Sequence, residues 1–250
     1  MKNEDLMARP LGKRGQQKVT YLVGSNTNDG DLKVESELEA LTALALDIDP
    51  RVLSIRAQPC TFRLDLRMRF DTSKEARVAS PEKSFIPGDA ENSSEEIYTP
   101  DFEVEWTNPV MLLVETKPAK ALLKISEKMD RRRAVLGRLG YRLVTATDED
   151  IGHKGLRANM AYMRDAQRFH TRKPVASRIE MDALQQVTTA YSGEFKLGDI
   201  RERVSDNGIR VGLANGVIAF DLRQGTLNNE SVLWNAFGEL SRLQLLNLGA

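Results

Sequence analysis

The sequence predicts an α/β fold, a mixed sheet flanked by helices and followed by a smaller domain at the C-terminal end. Three observations predict it. Val110-Met111-Leu112-Leu113-Val114 is an unbroken apolar run between the turn Thr107-Asn108-Pro109 and the charged tip Glu115-Thr116-Lys117. Such a run reads as a strand buried on both faces. Apolar residues at helical spacing stand on either side of it, at Leu38, Leu41 and Ala45 before it and from Leu122 to Leu139 after it. Beyond residue 175 the pattern changes to short apolar segments cut by Ser192-Gly193, Asn207-Gly208 and Asn215-Gly216.

The chain has 250 residues, enough for one large domain or a larger and a smaller one. Its 36 basic and 36 acidic residues cancel, so any attraction to nucleic acid must come from local patches. The single cysteine, Cys60, excludes an internal disulfide and a cysteine zinc site and reads as a buried thiol; two histidines exclude a histidine-rich metal centre. No apolar run approaches the roughly 20 residues of a membrane span, and the N-terminus lacks an apolar signal core. The expected setting is the cytoplasm, without a membrane partner.

In chain order, residues 1–30 mix Lys2, Arg9, Lys13, Arg14 and Lys18 with turn formers. They read as a basic arm that tracks phosphates or as a solvated terminus, with a short strand at Tyr21-Leu22-Val23. Val34 to Asp47 is an amphipathic helix, with Glu35, Glu37 and Glu39 in its first turns, where carboxylates suit the helix dipole. Glu39 reads either as a solvated helix residue or as a carboxylate beside the buried stripe that points toward the sheet. Arg51 to Gln58 is a further extended run. Thr61 to Phe70 alternates, with Phe62, Leu64, Leu66, Met68 and Phe70 on one face and arginines and Asp65 on the other, as one half-buried strand does. Thr72 to Glu96 reads as a long exposed loop.

A helix is expected from Lys120 to Leu139, ended by Gly140. Its polar face carries Lys120, Lys124, Lys128, Arg131, Arg132, Arg133 and Arg138. Lys120, Lys124, Arg131, Arg132 and Arg133 are the candidates for phosphate contact. Tyr141 to Thr145 is a buried strand. Asp148, Glu149 and Asp150 read as a loop and helix cap rather than a metal cluster. Leu156 to Arg168 is another helix, and the break at His170–Pro174 is taken as a domain boundary. Ile179–Tyr191 and Leu197–Val204 are short helices. Residues 208–222 then read two ways: strands paired through the Asn215-Gly216 turn, or a third helix stopped there. In the second case Val217–Leu222 and Ser231–Trp234 make a hairpin, and helix-helix-helix-wing is a winged-helix arrangement that commonly docks on DNA. The leucines of residues 240–248 form a tail that folds back or meets a partner. The division expected is an arm at 1–30, a main domain at 31–170, a winged-helix-like domain at 176–235 and a tail at 236–250.

The chemistry sits at one place. Glu115 and Lys117 share a strand face because side chains alternate, and Pro100-Asp101 opens the strand-like run before them. Two carboxylates hold a hard divalent cation such as magnesium, and a neighbouring lysine orients or deprotonates a water for attack on a phosphodiester. There is no G-x-x-x-x-G-K-[ST] loop, no G-x-G-x-x-G and no G-x-S-x-G.

A helix carrying Glu, a strand with Pro-Asp and a strand with Glu-x-Lys is the order of the PD-(D/E)xK nuclease superfamily. Within it, Ser36–Pro59, Y-T-P-D-F-E-V at Tyr98–Val104 and V-E-T-K-P-A at Val114–Ala119 resemble the TnsA family, the endonuclease subunits of heteromeric transposases. The resemblance covers roughly residues 30 to 165. It implies a restriction-endonuclease-like fold with Glu39, Asp101 and Glu115 as metal ligands and Lys117 as catalytic lysine, using magnesium or, in its place, manganese. Gln58 matches a recurrent family glutamine and stands as a possible supporting residue. The implied reaction is cleavage at the 5′ ends of a transposon, in a bacterial cytoplasm on nucleoid DNA. The implied partners are double-stranded DNA at the transposon ends, an RNase-H-like transposase subunit that cuts and joins the 3′ ends, and an AAA+ regulator. A stand-alone restriction or repair nuclease, or a catalytically silent DNA-binding assembly subunit, are the competing expectations.

Overall fold

The computed structural model describes residues 21–27, 30–79 and 96–248. Of the basic arm expected over residues 1–30, residues 1–20 and 28–29 lie outside them, as do residues 80–95 of the loop expected over Thr72 to Glu96. The chain is mixed α/β, and it forms two compact units. The first contains the described residues up to Ala43, together with Val52–Asp148 and Leu248; the second contains Leu44–Arg51 and Glu149–Asn247.

In the first unit, β1 (Tyr21–Gly24) and β2 (Asp31–Val34) form an antiparallel pair ahead of helix α1 (Glu37–Ile48). The helix starts three residues later than its sequence pattern suggested, because Val34 is taken into β2 and Ser36 Oγ accepts the Glu39 N–H at 3.1 Å. The central sheet has the order β3 (Val52–Ala57), β7 (Phe102–Trp106), β8 (Met111–Thr116), β9 (Tyr141–Ala146). The first three are antiparallel and β9 runs parallel to β8, so the sheet is mixed. A parallel neighbour needs a crossover, supplied here by α3 (Ala119–Lys124) and α4 (Ser126–Arg138). Leu112, Leu113 and Val114 of β8 are all 0% exposed, as a strand covered on both faces must be.

A second sheet of the same unit has the order β5 (Met68–Phe70), β4 (Thr61–Arg63), β6 (Ile97–Tyr98). The single alternating strand expected over Thr61–Phe70 is instead two strands joined by a turn. The Arg63 guanidinium closes on Asp65 two residues later, at 2.7 and 2.9 Å, and donates to the carbonyls of Ala76 and Ala79. Arg67 takes up a left-handed φ of 52° to complete the reversal. Part of the stretch expected as loop also folds, into α2 (Ser73–Val78), whose capping box joins Thr72 and Glu75. The helix expected over Lys120–Leu139 breaks at Ile125 (φ −120°, ψ 19°). The break places Leu122 and Ile125 against the same cluster as Met129 and Leu136. That cluster, Cys60, Phe62, Leu64, Tyr98, Leu113, Met129, Leu136 and Leu143, is the core between the two sheets and α4. Cys60 is wholly buried within it, and burial pushes its thiol up to about 12.

After β9 comes the short helix α5 (Asp148–Ile151). The second unit then contains α6 (Leu156–Arg172), α7 (Pro174–Thr188), β10 (Phe195–Lys196), α8 (Leu197–Arg201), α9 (Asp206–Ala214), β11 (Ile218–Ala219) and β12 (Val232–Asn235). Of the two readings of residues 208–222, the helical one is realised. Ser205 caps α9 by accepting the Gly208 N–H, and Gly212 lets α9 approach α7 so closely that a Cβ there would lie 2.0 Å from Leu184 Cδ2. After Gly216 (φ +70°) the chain returns as β11, which pairs with β12, while β10 pairs with the other edge of β12. The segment between β11 and β12 is fastened to α6 by Asn159. Its amide donates to Leu222 O at 2.9 Å and Gly225 O at 2.5 Å, and its oxygen accepts the Leu227 N–H at 3.1 Å. The leucine tail folds back on its own unit. Leu243, Leu245 and Leu246 are buried, and Arg242 donates to the carbonyls of Leu213 and Ile218, both at 2.9 Å.

Candidate active site

The β7–β8 register pairs Phe102 with Val114, and one step further it sets Asp101 opposite Glu115. Alternation then places Asp101, Glu115 and Lys117 on the same face, at the end of the sheet where both strands stop. Lys117 Nζ lies 2.9 Å from Glu115 Oε1 and 3.6 Å from Asp101 Oδ2. The same Asp101 oxygen accepts the Thr116 N–H at 2.7 Å, which fixes that carboxylate against the backbone of β8. Thr116 itself faces the other way, its hydroxyl 3.3 Å from Thr42 on α1.

The electrostatics follow from crowding acids at a mostly buried strand end. The Asp101 carboxyl is pushed up to about 7, by burial first and then by the charge of Glu115, with a further contribution from Glu39. Lys117 loses some basicity to burial, but Asp101, Glu115 and Glu39 outweigh that and hold it above its ordinary value as an ammonium ion. Burial and the like charge of Glu115 therefore outweigh Lys117 in setting the proton affinity of Asp101.

Two further groups complete the surroundings of Glu115. The Tyr98 hydroxyl donates to Glu115 Oε2 at 2.9 Å, and burial, reinforced by the Glu115 charge, keeps that phenol protonated far above its usual range. Arg132 lies over the Tyr98 ring at 4.2 Å, with Nη1 3.9 Å from Glu115 Oε1 and Nε 3.1 Å from Glu96 Oε1. Among the outward cations proposed for phosphate contact, Arg132 is misplaced by the sequence pattern. It is 8% exposed and turned inward, because its spacing within α4 puts it on the stripe of Met129 and Leu136. That i, i+3, i+7 stripe was the available signal. Lys120, Lys124 and Arg131 are exposed, and Arg133 pairs with Asp130 at 2.8 Å.

Glu39 lies close enough to the Asp101–Glu115–Lys117 cluster for its charge to act on both Asp101 and Lys117. Its carboxylate accepts the Glu35 N–H and the Ser36 hydroxyl, both at 2.9 Å, so it caps its own helix and reaches the cluster through its charge. No group of three or more His, Cys, Asp or Glu side chains among the described residues is arranged to hold a metal ion. Gln58 stands opposite the start of β7, its N–H donating to Asp101 O at 2.9 Å. It is 3% exposed, has a left-handed φ of 44°, and its Oε1 has no hydrogen-bond partner among the described residues. Asp148, expected as a cap, accepts the Ala119 N–H at 2.7 Å and so caps α3.

Among the described residues no helix is long and apolar enough to cross a membrane. Compared with protein-family models and with curated proteins, the chain matches none of them.

Proposed function

We propose that this chain is a metal-dependent DNA endonuclease of the PD-(D/E)xK type, acting as a TnsA-like subunit that cuts the 5′ ends of a transposon. The observation that carries the reading is the meeting of Asp101, Glu115 and Lys117 at one strand end, where the two carboxylates are crowded together in a mostly buried site. The donor set fits a hard divalent cation: two carboxylates at one strand end, with the Asp101 carboxyl pushed up to about 7 by burial and by the charge of Glu115, so that a bound cation would favour its ionised form. Asp101 and Glu115 would hold magnesium or manganese, with Glu39 adding charge from its helix cap. When bound, the metal supplies Lewis-acid stabilisation of the phosphoryl oxygen and of the leaving group.

The remaining chemistry belongs to side chains. Lys117, kept as an ammonium by its two acidic neighbours, donates to the attacking water and to charge developing on the phosphoryl oxygen. Thr116 N–H and Tyr98 hold the two carboxylates still. Lys120, Lys124 and Arg131 on α3 and α4, which follow β8 directly, provide phosphate contacts beside the cut.

The central mixed sheet with its crossover helices supports a restriction-endonuclease-like reading of the first unit, and α7, α8, α9 and the β11–β12 hairpin support a winged-helix-like reading of part of the second. In that module, Gly208, Ile209, Val211, Gly212, Leu213 and Ala214 of α9 are buried, which leaves little face for reading bases. Sequence choice is therefore assigned to partner subunits. The deciding experiment is 5′-end cleavage of transposon-end DNA by Asp101→Ala with the partner transposase and Mg2+. Loss of 5′ cutting by at least roughly 100-fold, with 3′ joining by the partner retained, is expected; wild-type cutting by the variant would refute the site. Efficient cutting by the chain alone would favour a stand-alone nuclease.

A further inference from the structure

Glu115 is held by more than a metal ligand needs for its own packing. Its two oxygens are treated differently: Oε2 receives the Tyr98 hydroxyl at 2.9 Å, while Oε1 faces Lys117 at 2.9 Å and Arg132 at 3.9 Å. A carboxylate on a flexible side chain has freedom to rotate, and a donor on one oxygen removes it. Tyr98 is 3% exposed and belongs to the core cluster, so its hydroxyl is a fixed donor rather than a mobile one. Arg132 in turn has three reasons to stay where it is: the Tyr98 ring beneath it, Glu96 at 3.1 Å and the stripe of Met129 and Leu136 on its own helix. The chain β6–Tyr98–Glu115 and the chain α4–Arg132–Glu115 thus converge on one carboxylate from two elements outside the central sheet.

We propose that Tyr98 and Arg132 are positioning residues for Glu115, presenting Oε1 toward Asp101 and Lys117 and setting the affinity of the site for its divalent cation. The inference rests on the metal-dependent reading above. Tyr98 fixes orientation through a single proton, and Arg132 limits the repulsion between Glu115 and Asp101, so the two carboxylates tolerate each other until the cation arrives. Neither residue touches substrate; both act through Glu115.

The test is calorimetric titration of the full-length protein with Mn2+, alongside thermal melts in EDTA and DNA binding in EDTA. Tyr98→Phe keeps the ring and deletes only the donor, and it is expected to weaken Mn2+ binding by roughly 10- to 100-fold, with DNA affinity in EDTA unchanged and the metal-free melt lowered by no more than roughly a few degrees, as one lost buried hydrogen bond requires. Arg132→Met is expected to weaken Mn2+ binding likewise, with a larger fall in the metal-free melt because Glu96 and Glu115 lose a cation, and Arg132→Lys to recover part of both losses by restoring the charge. Wild-type Mn2+ affinity in Tyr98→Phe and Arg132→Met would overturn the positioning role. A wild-type protein that takes up no Mn2+ would overturn the functional reading and this inference with it.

Discussion

The carboxylate of Asp101 is ionised at a cost, since burial and Glu115 raise its pKa from 3.8 to about 7. The folded chain therefore holds this proton more tightly than the unfolded chain does. The group's unfavourable contribution is absent below pH 3.8, grows as pH climbs through the window from 3.8 to about 7, and is fully present above it. At ~1.4 kcal/mol per unit the penalty is on the order of a few kcal/mol. Asp101→Asn keeps an acceptor for the Thr116 N–H and removes the charge. In EDTA at pH 8 this variant is expected to melt higher than wild type by roughly 5 °C or more, with little difference at pH 4. Mn2+ binding by the variant is expected to disappear. A lower melt at pH 8 would count against the strained-carboxylate account. The trio Asp101, Glu115 and Lys117 was legible in the sequence because strand alternation and strand order decide it. Tyr98 and Arg132 were not, because only the packing of β6 and α4 onto β8 brings them to Glu115. Glu39 was legible as a helix carboxylate, whereas its bonds to Glu35 and Ser36 depend on where the first turn of α1 begins.

At the scale of elements, apolar run length and turn residues located the strands of the central sheet well, and misjudged the pieces beside it. Thr61–Phe70 alternates cleanly in hydropathy, yet a buried ion pair between Arg63 and Asp65 and a left-handed Arg67 fold it into a hairpin. Hydropathy cannot register a charge that is buried because its partner is two residues away. In the second unit one amide, that of Asn159, makes three of the hydrogen bonds that hold the segment between β11 and β12. Asn159→Ala deletes three hydrogen bonds to Leu222, Gly225 and Leu227 and leaves their backbone groups unpaired. A loss of about 2–4 kcal/mol is expected in urea unfolding of that unit, with amide exchange rising first at residues 222–227. Uniform exchange across the unit would show that α6 does not hold this segment.

For the molecule as a whole, a formal charge of zero means that the DNA of the proposed function would be met through a local field. Replacing Lys120, Lys124 and Arg131 together by alanine is expected to flatten the dependence of log K on log salt by up to about 2.7, at ~0.9 for each phosphate no longer neutralised. Affinity should fall equally for transposon-end and scrambled duplexes; a fall confined to the end sequence would place base reading on α3 and α4. The same chain also has a property useful at the bench. Its one thiol, Cys60, is 0% exposed and titrates at about 12, so in the native state it presents almost no thiolate to an alkylating reagent. A cysteine introduced at an exposed position such as Val78 (77% exposed) should take a maleimide dye alone, in minutes, with the natural thiol left in place. Under denaturant the natural thiol becomes the informative one: modification of Cys60, followed by mass spectrometry, is a clock for the opening of the core that packs beside Tyr98 and Glu115.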